Sequence, residues 1–527
     1  MKKNILKTLL LAVLLPTASV AQSDDASSIS KTIDFATKQV GLETAAIQKA
    51  KKPLNPVTLN KKGEVSYCSP YDWRSGFFPG TLWYLYELTG DEQWAEQAEY
   101  MTASIESAKM LTSHHDVGFI INCSFGNGLR LKNVKGYKDV MVQAAKSLAT
   151  RFRPGAGVIQ SWNVNNPNSW QAKRGWECPV IIDNMMNLEL MFKATQLSGD
   201  STYYRIAVSH ADQTLKNQFR PDGSCYHVVD YALRDGAVRH KQTAQGYADE
   251  SVWSRGQAWA VYGYTMCYRY TRFDRYLQQA RKTLQLMLSH PRMPKDLVPY
   301  WDMEAPKIPN EPRDASSAAV IASALYELMT LDMGHADEYK ATADRIMKSL
   351  GSKAYRPKLG EAGHFLLLHS VGSIPHNSEI DVPLNYADYY YLEALSRKAY
   401  IDLYFQKKKI NDENQISPLP VGPGLGHTAG RPTEGGALRE QSWQQPTRRS
   451  RLLLHPQDMA GARRSRRHPA HRAQRLPPAS GEPGWCRWFS SHRDFCLAAR
   501  NGRLHGGSWK ADGLRTFCGR QILSLAC

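Results

Sequence analysis

Cysteine is scarce in this sequence and lacks the spacing that would make it structural. Nine cysteines occur in 527 residues, and the five that precede residue 403 are scattered and form no Cys-x-x-Cys pair. The pattern excludes a disulfide scaffold, and the sequence contains no zinc-finger spacing. We therefore predict buried, unpaired thiols in this part of the chain and no metal site.

Long apolar runs are also missing, apart from a short one near the start. This run, Leu9 to Leu15, follows Lys2 and Lys3 and precedes Ser19-Val20-Ala21, which is the order of a secretory signal. No run reaches the roughly 20 apolar residues of a membrane span. We predict a signal peptide over residues 1–21, no membrane span, no lipid anchor because no cysteine follows the cleavage site, and a periplasmic protein.

Acidic residues become sparse after residue 402. The formal net charge is +18, and residues 403–527 hold 21 Lys and Arg against 8 Asp and Glu, so +13 lies there and +5 in residues 1–402. A global positive field typical of nucleic-acid binding is thus absent from the body, and we expect no nucleic-acid partner. Residues 404–527 are interpreted as an out-of-frame or cloning-derived extension, a disordered basic tail or a binding module; the abrupt change of composition favours the first.

The body, residues 22–403, consists of paired helical patterns. Each pair joins an apolar helix to an amphipathic one through a break such as Leu88-Thr89-Gly90-Asp91, in which Gly ends one helix and Asp caps the next. The predicted pairs are Gly76–Thr89 with Glu92–Met110, Val117–Leu131 with Lys138–Arg151, Asn184–Ser198 with Ser201–Phe219, Trp253–Tyr270 with Arg275–Ser289, and Ala315–Leu331 with Ala336–Leu350. An amphipathic helix near Ser28–Lys51 and an apolar one at Tyr386–Leu403 complete the series.

This pattern predicts an all-α toroid with six inner and six outer helices. Helices that are apolar all round must be buried, whereas one-sided helices cover a surface. Parallel inner helices would bring their N-termini together at one end, where the helix dipoles suit an anionic ligand. Residues at those starts are therefore candidates for chemistry.

Two aspartates occupy such starts. Asp116 opens the helix that begins at Val117, and Asp183 follows the apolar residues Val180-Ile181-Ile182 into the next inner helix. An N-cap role would explain either one. A buried carboxyl, however, would have a raised pKa suited to a general acid, and two carboxyls across one pocket suggest glycoside hydrolysis.

Other side chains near the predicted helix starts suit an anionic sugar. Trp73 and Trp162 lie among polar loop residues and could stack on sugar rings, although aromatic residues in a barrel are more often packing. Arg255 begins an inner helix and could grip a carboxylate or pair with a core acid. His227 and Gln245 lie in a loop segment that could reach the pocket or simply fix loops.

The assembled motifs resemble glycoside hydrolase family 88, the unsaturated glucuronyl hydrolases. The resemblance covers roughly residues 33–400 and ends where the tail begins. It rests on the strings Asp72-Trp73-Arg74-Ser75-Gly76-Phe77-Phe78-Pro79-Gly80, His115-Asp116-Val117-Gly118-Phe119, Gln160-Ser161-Trp162, Ile182-Asp183-Asn184-Met185-Met186-Asn187, Trp253-Ser254-Arg255-Gly256-Gln257-Ala258-Trp259 and Asp314-Ala315-Ser316-Ser317-Ala318. It implies an (α/α)6 barrel without a cofactor.

The resemblance also implies a reaction and a set of site residues. Family members hydrate the C4=C5 double bond of the uronic acid that polysaccharide lyases leave at a non-reducing end. By motif, Asp183 would be the general acid and then the base, and Asp116 would orient the substrate and support the cation. The substrate contacts implied are Trp73, Trp162, His227, Gln245, Arg255 and Trp259.

Some questions stay open at this point. Gln160 precedes Ser161-Trp162 where relatives often carry Arg, which puts a contact to the second sugar in doubt. The alternatives are an unsaturated rhamnogalacturonyl hydrolase and a non-catalytic sugar-binding toroid. The sequence fixes neither the preferred glycosaminoglycan nor the oligomeric state.

Overall fold

The computed structural model describes residues 18–415, with side chains described for residues 28–403. The predicted signal peptide lies outside the described residues except for residues 18–21. The predicted tail lies outside them except for residues 404–415, which continue the last helix.

Helices dominate the described part of the chain. They are α1 (Ala18–Ala50), α2 (Phe77–Thr89), α3 (Glu92–Ala103), α4 (Val117–Lys132), α5 (Tyr137–Ala149), α6 (Trp170–Lys173), α7 (Asn184–Ser198), α8 (Ser201–Asn217), α9 (Ser254–Thr271), α10 (Asp274–Ser289), α11 (Ala315–Leu331), α12 (Ala336–Leu350) and α13 (Asn385–Gln415). The prediction of one helix over Glu92–Met110 is wrong. The chain leaves the α conformation after Ala103, where the Ser104 hydroxyl donates to the Met101 carbonyl, and resumes as a 3₁₀ turn at Glu106–Met110.

Six of these helices form the inner wall of a toroid, and six surround it. The inner helices α2, α4, α7, α9, α11 and α13 are buried along most of their described length, and in α11 every residue from Ala315 to Met329 is buried. The outer helices bury one stripe each, as α10 does with Tyr276, Ala280 and Leu284. The prediction of an all-α (α/α)6 barrel is confirmed.

The predicted breaks between paired helices are also confirmed. Gly90 and Gly199 end α2 and α7 in the left-handed region, with φ of 68° and 76°. Asp91 and Asp200 then cap α3 and α8 by accepting the N–H groups of Gln93 and Thr202.

Short antiparallel strands connect the helices, and the helical pattern of the sequence did not predict them. They are β1 (Asn55–Leu59), β2 (Val65–Cys68), β3 (Phe152–Arg153), β4 (Val158–Ile159), β5 (Cys178–Ile181), β6 (Val228–Tyr231), β7 (Val238–Gln242), β8 (Ser370–Ser373) and β9 (Ser378–Val382). Three pairs stand alone, and β5-β6-β7 form one sheet. Strand β5 ends two residues before Asp183, and β6 begins directly after His227, so this sheet carries two candidate site residues.

The starts of the inner helices meet at one end of the barrel. Trp73, just before α2, packs against Tyr386 of α13 with ring centroids 5.0 Å apart. Phe119 of α4 packs against Trp259 of α9 at 5.4 Å. This arrangement places the N-terminal dipole ends of the wall around one pocket.

The opposite end of the barrel is filled by buried charges. Glu393 of α13 accepts hydrogen bonds from Tyr84 at 2.7 Å, Tyr262 at 3.0 Å and Ser323 at 2.6 Å. Arg397 pairs with Glu327 at 2.8 Å. We call this cluster the charged floor; it comprises Glu189, Arg269, Glu327, Glu393 and Arg397.

The described residues contain neither a candidate membrane span nor a candidate metal site. No helix there is both long and apolar enough to cross a membrane. No group of three or more His, Cys, Asp or Glu side chains in the same part of the chain could hold a metal ion.

Candidate active site

Asp116 and Asp183 stand at the starts of α4 and α7, but neither carboxyl caps its helix. Both occupy the N-cap position, and neither side chain accepts a hydrogen bond from the first turn. Asp314, at the same position of α11, does cap by accepting the Ser316 N–H. The capping interpretation therefore holds for Asp314, while the other two carboxyls are available for chemistry.

Asp183 is buried in surroundings that favour its neutral form. Burial raises its pKa to about 7; the Arg255 charge opposes the rise and Asp116 adds to it. Its Oδ2 lies 3.6 Å from Nε2 of His227 and makes no hydrogen bond of ordinary length in the described part of the chain. A carboxyl with this pKa can both give and take a proton near neutrality.

Asp116 is held in the opposite state. Its Oδ1 lies 3.2 Å from Nε2 of His115, and its Oδ2 lies 3.2 Å from Nδ1 of His114. Burial would raise its pKa, but its interactions with His115, His114 and Asn187 outweigh burial and hold the pKa below its ordinary value. The two aspartates thus form a protonatable and an ionised member of one pair.

His227 is a neutral donor facing Asp183. Its Nδ1 accepts the backbone N–H groups of Ala244 at 3.0 Å and Gln245 at 3.2 Å, so the network assigns the ring proton to Nε2. Burial, followed by the charge of Arg255, keeps its pKa well below its ordinary value. The Nε2–H therefore points toward Asp183 without carrying a charge.

Arg255 is buried beside the site, and its terminal nitrogens are engaged. Nη1 donates to the Val371 carbonyl and reaches Asp314 at 3.4 Å; Nη2 donates to the Gly372 carbonyl at 2.6 Å and to Gln245 at 2.8 Å. The geometry therefore includes the ion pair with a core acid. A direct grip on a substrate carboxylate through Nη1 or Nη2 would require one of these bonds to exchange.

The two tryptophans predicted to wall the substrate pack against different groups of residues. Trp73 packs on Phe119 and Tyr386, and is half-buried. Trp162 stacks on Trp176 with ring centroids 5.8 Å apart and an interplanar angle of 23°. Its ring is nearly perpendicular to that of His227, with centroids 6.1 Å apart.

Trp259 is fully buried, unlike the two wall tryptophans. Its indole N–H makes no hydrogen bond of ordinary length among the described residues. The interaction of this N–H with Asp183 is one of the forces that lower the pKa of that carboxyl. Trp259 therefore lies behind the acid as a buried donor.

Sequence reasoning missed several residues at this site. His115 touches Asp116, Trp253 packs on His227 with centroids 4.4 Å apart, and Asn187 lies against the start of α4. The position of Asn187, four residues after Asp183 in a helix, could have revealed it, because such residues share a face. The carbonyls of Val371 and Gly372 gave no local signal.

The pH dependence of turnover should follow Asp183. A group that must be protonated in the free enzyme, with a pKa of about 7, makes kcat/KM fall as pH rises through that value. We expect kcat/KM to be half-maximal near pH 7 on its alkaline side and to fall about tenfold for each further pH unit. His227 contributes no limb there because its pKa is far lower. An alkaline limb above pH 9 would contradict the role of Asp183 as the acid.

A helical toroid that holds a protonatable and an ionised carboxyl among tryptophans at the N-terminal end of its inner wall defines a glycoside hydrolase. Residues 49–400 match the sequence model of Glycosyl Hydrolase Family 88. The chain belongs to this family.

Individual relatives agree with the family assignment. The chain is 49% identical over 345 residues to an unsaturated glucuronyl hydrolase of Formosa agariphila, which covers 65% of this chain and 84% of that protein. It is 34% identical over 333 residues to the unsaturated glucuronyl hydrolase of Bacillus sp. GL1, covering 62% and 86%. The predicted family and the prediction of an enzyme are thereby confirmed.

Solved structures share the fold. An unsaturated glucuronyl hydrolase specific for heparin matches with a TM-score of 0.67 at 42% identity, covering 72% of this chain and 98% of that one. The Bacillus sp. GL1 enzyme matches with a TM-score of 0.63 at 28% identity, covering 70% and 95%.

Proposed function

We propose that the protein releases the 4,5-unsaturated uronic acid from the non-reducing end of glycosaminoglycan oligosaccharides made by polysaccharide lyases. The observation that carries this proposal is the uncapped, buried carboxyl of Asp183 with a pKa of about 7, opposite an ionised Asp116. The relatives described above, which are unsaturated glucuronyl hydrolases, support the choice of substrate class.

In the proposed reaction, Asp183 gives its proton to C4. The electron pair of the C4=C5 bond forms the new C–H bond, and the positive charge at C5 is shared with the ring oxygen. Water then adds at C5 and returns a proton to the Asp183 carboxylate. The resulting hemiketal opens to a ketone at C5, and the hemiacetal left at C1 expels the second sugar as an alcohol.

The other site residues have supporting roles in this proposal. Asp116 stays ionised, orients the substrate and stabilises the cation across the ring. Trp73 and Trp162 wall the uronyl ring on two sides. His227, as a neutral donor, contacts its polar groups without adding charge.

Three further residues complete the proposed set. Gln245 is the member that links the buried Arg255 to the pocket, because its Oε1 accepts from Nη2 of that arginine. Trp259 interacts with the Asp183 carboxyl through its buried indole N–H. The negative charge of the substrate is then stabilised by helix N-termini and neutral donors. Arg255 adds its positive charge nearby and holds Gln245 through their hydrogen bond.

One assay tests the function directly. Incubation with an unsaturated glycosaminoglycan disaccharide should abolish the ultraviolet absorbance of the conjugated double bond while a free amino sugar appears in equal amount. The matching saturated disaccharide is the control and should stay intact. Binding of the unsaturated disaccharide with undiminished absorbance would identify a non-catalytic sugar-binding toroid instead.

We propose that residues 1–21 direct export to the periplasm and that residues 22–403 form the catalytic unit. The basic start, short apolar run and small residues before Gln22 support the first part, and the match to residues 49–400 supports the second. Residues 404–527 are proposed to be an out-of-frame or cloning-derived extension, which the nucleotide sequence around codon 403 tests.

A further inference from the structure

Asn187 joins the helices that carry the two site aspartates. It lies on α7 four residues after Asp183, on the same face, and its side chain is fully buried. Its Oδ1 accepts the Phe119 N–H at 2.8 Å, which closes the first turn of α4 in place of Asp116. A single side chain therefore ties the start of α7 to the start of α4.

The packing around this amide leaves no room for displacement. A β-carbon at Gly118 would lie 2.5 Å from Oδ1 of Asn187, so the absence of a side chain at residue 118 allows α4 to approach α7 this closely. The bond to Phe119 also fixes which end of the amide is oxygen, because a flipped amide would oppose two N–H groups.

The other end of the amide, Nδ2, is a buried donor. Nδ2 of Asn187 is buried and makes no hydrogen bond of ordinary length in the described part of the chain. This side chain is also among the neighbours that hold the pKa of Asp116 below its ordinary value, after His115 and His114. A buried N–H without a full partner destabilises the folded chain, so packing stability alone does not explain it.

Asn187 differs from the charged or titratable groups that face Asp116. Those groups are His114, His115, Asp72, Arg151 and Asp183. Asn187 is uncharged, does not titrate, and shares α7 with Asp183. It can therefore hold Asp116 relative to the acid without a charge that would disturb either carboxyl.

We propose that Asn187 is a positioning residue that aims the Asp116 carboxylate at the substrate by accepting from Phe119 at Oδ1 and donating to Asp116 at Nδ2. This inference rests on the proposed function. It assigns the geometry of the pair to the amide on α7, in addition to the adjacent histidines.

The test is Asn187→Asp, which keeps the acceptor for Phe119 and removes the donor for Asp116. The new carboxylate repels Asp116, so the pH below which kcat/KM declines should rise by about one unit. We expect kcat to fall about 100-fold, the usual scale for a misplaced reacting group, with KM changed less than threefold. Turnover of the unsaturated disaccharide by the unaltered protein is measured alongside, because its absence would refute the proposed function rather than this inference.

Two further variants make the result decisive. Asn122→Asp makes the same change on α4, where Oδ1 accepts from Lys193 at 2.9 Å and Nδ2 donates to Glu189 at 3.1 Å, and should leave the acid limb unmoved. Gly118→Ala forces α4 away from Asn187, because its β-carbon would lie 2.5 Å from Oδ1 and 2.6 Å from the backbone Cα of that residue, and should raise the acid limb as Asn187→Asp does. An unmoved limb and kcat within threefold in either Asn187→Asp or Gly118→Ala would overturn the inference, as would a loss confined to KM.

Discussion

Replacing Asp183 with Asn is expected to lower kcat about 1,000-fold while leaving disaccharide binding nearly unchanged. The amide is the same size but has no acidic proton to give to C4, and general acid–base groups contribute about 10²–10⁴-fold. The helix should not suffer, because the Asp183 side chain caps nothing. The measurement is kcat from loss of ultraviolet absorbance, together with calorimetric titration of the disaccharide.

A matched substitution separates chemistry from helix capping. Asp200→Asn makes the same change at the N-cap of α8, where the side chain accepts the Thr202 N–H and Asn caps equally well. This variant should keep full turnover. An Asp183→Asn protein that retains more than a tenth of the original kcat would refute the assignment of Asp183 as the acid.

Replacing Arg397 with Met is expected to lower the free energy of unfolding by about 3–5 kcal/mol. That is the usual cost of removing one partner from a buried ion pair, because the remaining charge stays buried. Arg397 pairs with Glu327 at 2.8 Å and donates to the Ser323 carbonyl at 2.6 Å, deep inside the barrel. Urea-induced unfolding, followed by the helical circular dichroism signal, measures the effect.

An exposed pair provides the comparison. Lys358 faces Glu361 at 3.6 Å with 88% of its side chain exposed, so Lys358→Met should change stability by no more than about 0.5 kcal/mol. A loss below about 1 kcal/mol in Arg397→Met would show that the charged floor is not a structural element.

Most of the barrel could be predicted because its signals are local. A run such as Leu197-Ser198-Gly199-Asp200 contains both the left-handed residue that ends α7 and the side chain that caps α8. Inner and outer helices differ in how much of their circumference is apolar, which the sequence shows directly. The small sheets escaped prediction because two to five residues per strand carry too little periodicity against helical neighbours.

The candidate site was only partly predictable, for a related reason. Asp116 and Asp183 stood out because each stands at the start of an apolar helix, and Asp183 also follows three apolar residues. The partners that tune them come from distant parts of the chain: Val371 and Gly372, which hold Arg255, lie more than 110 positions away from it. Asn187 looked like an ordinary polar residue of α7 until the approach of α4 was known.

The charged floor has a consequence for the order of events in turnover. Because the charged floor closes one end of the barrel, an oligosaccharide enters from the other end by its terminus and cannot pass through. The released uronyl product lies deeper in the barrel than the shortened chain, so the shortened chain must dissociate first. Such an enzyme removes one unsaturated unit from each oligosaccharide, and a new oligosaccharide must bind from solution for the next turnover.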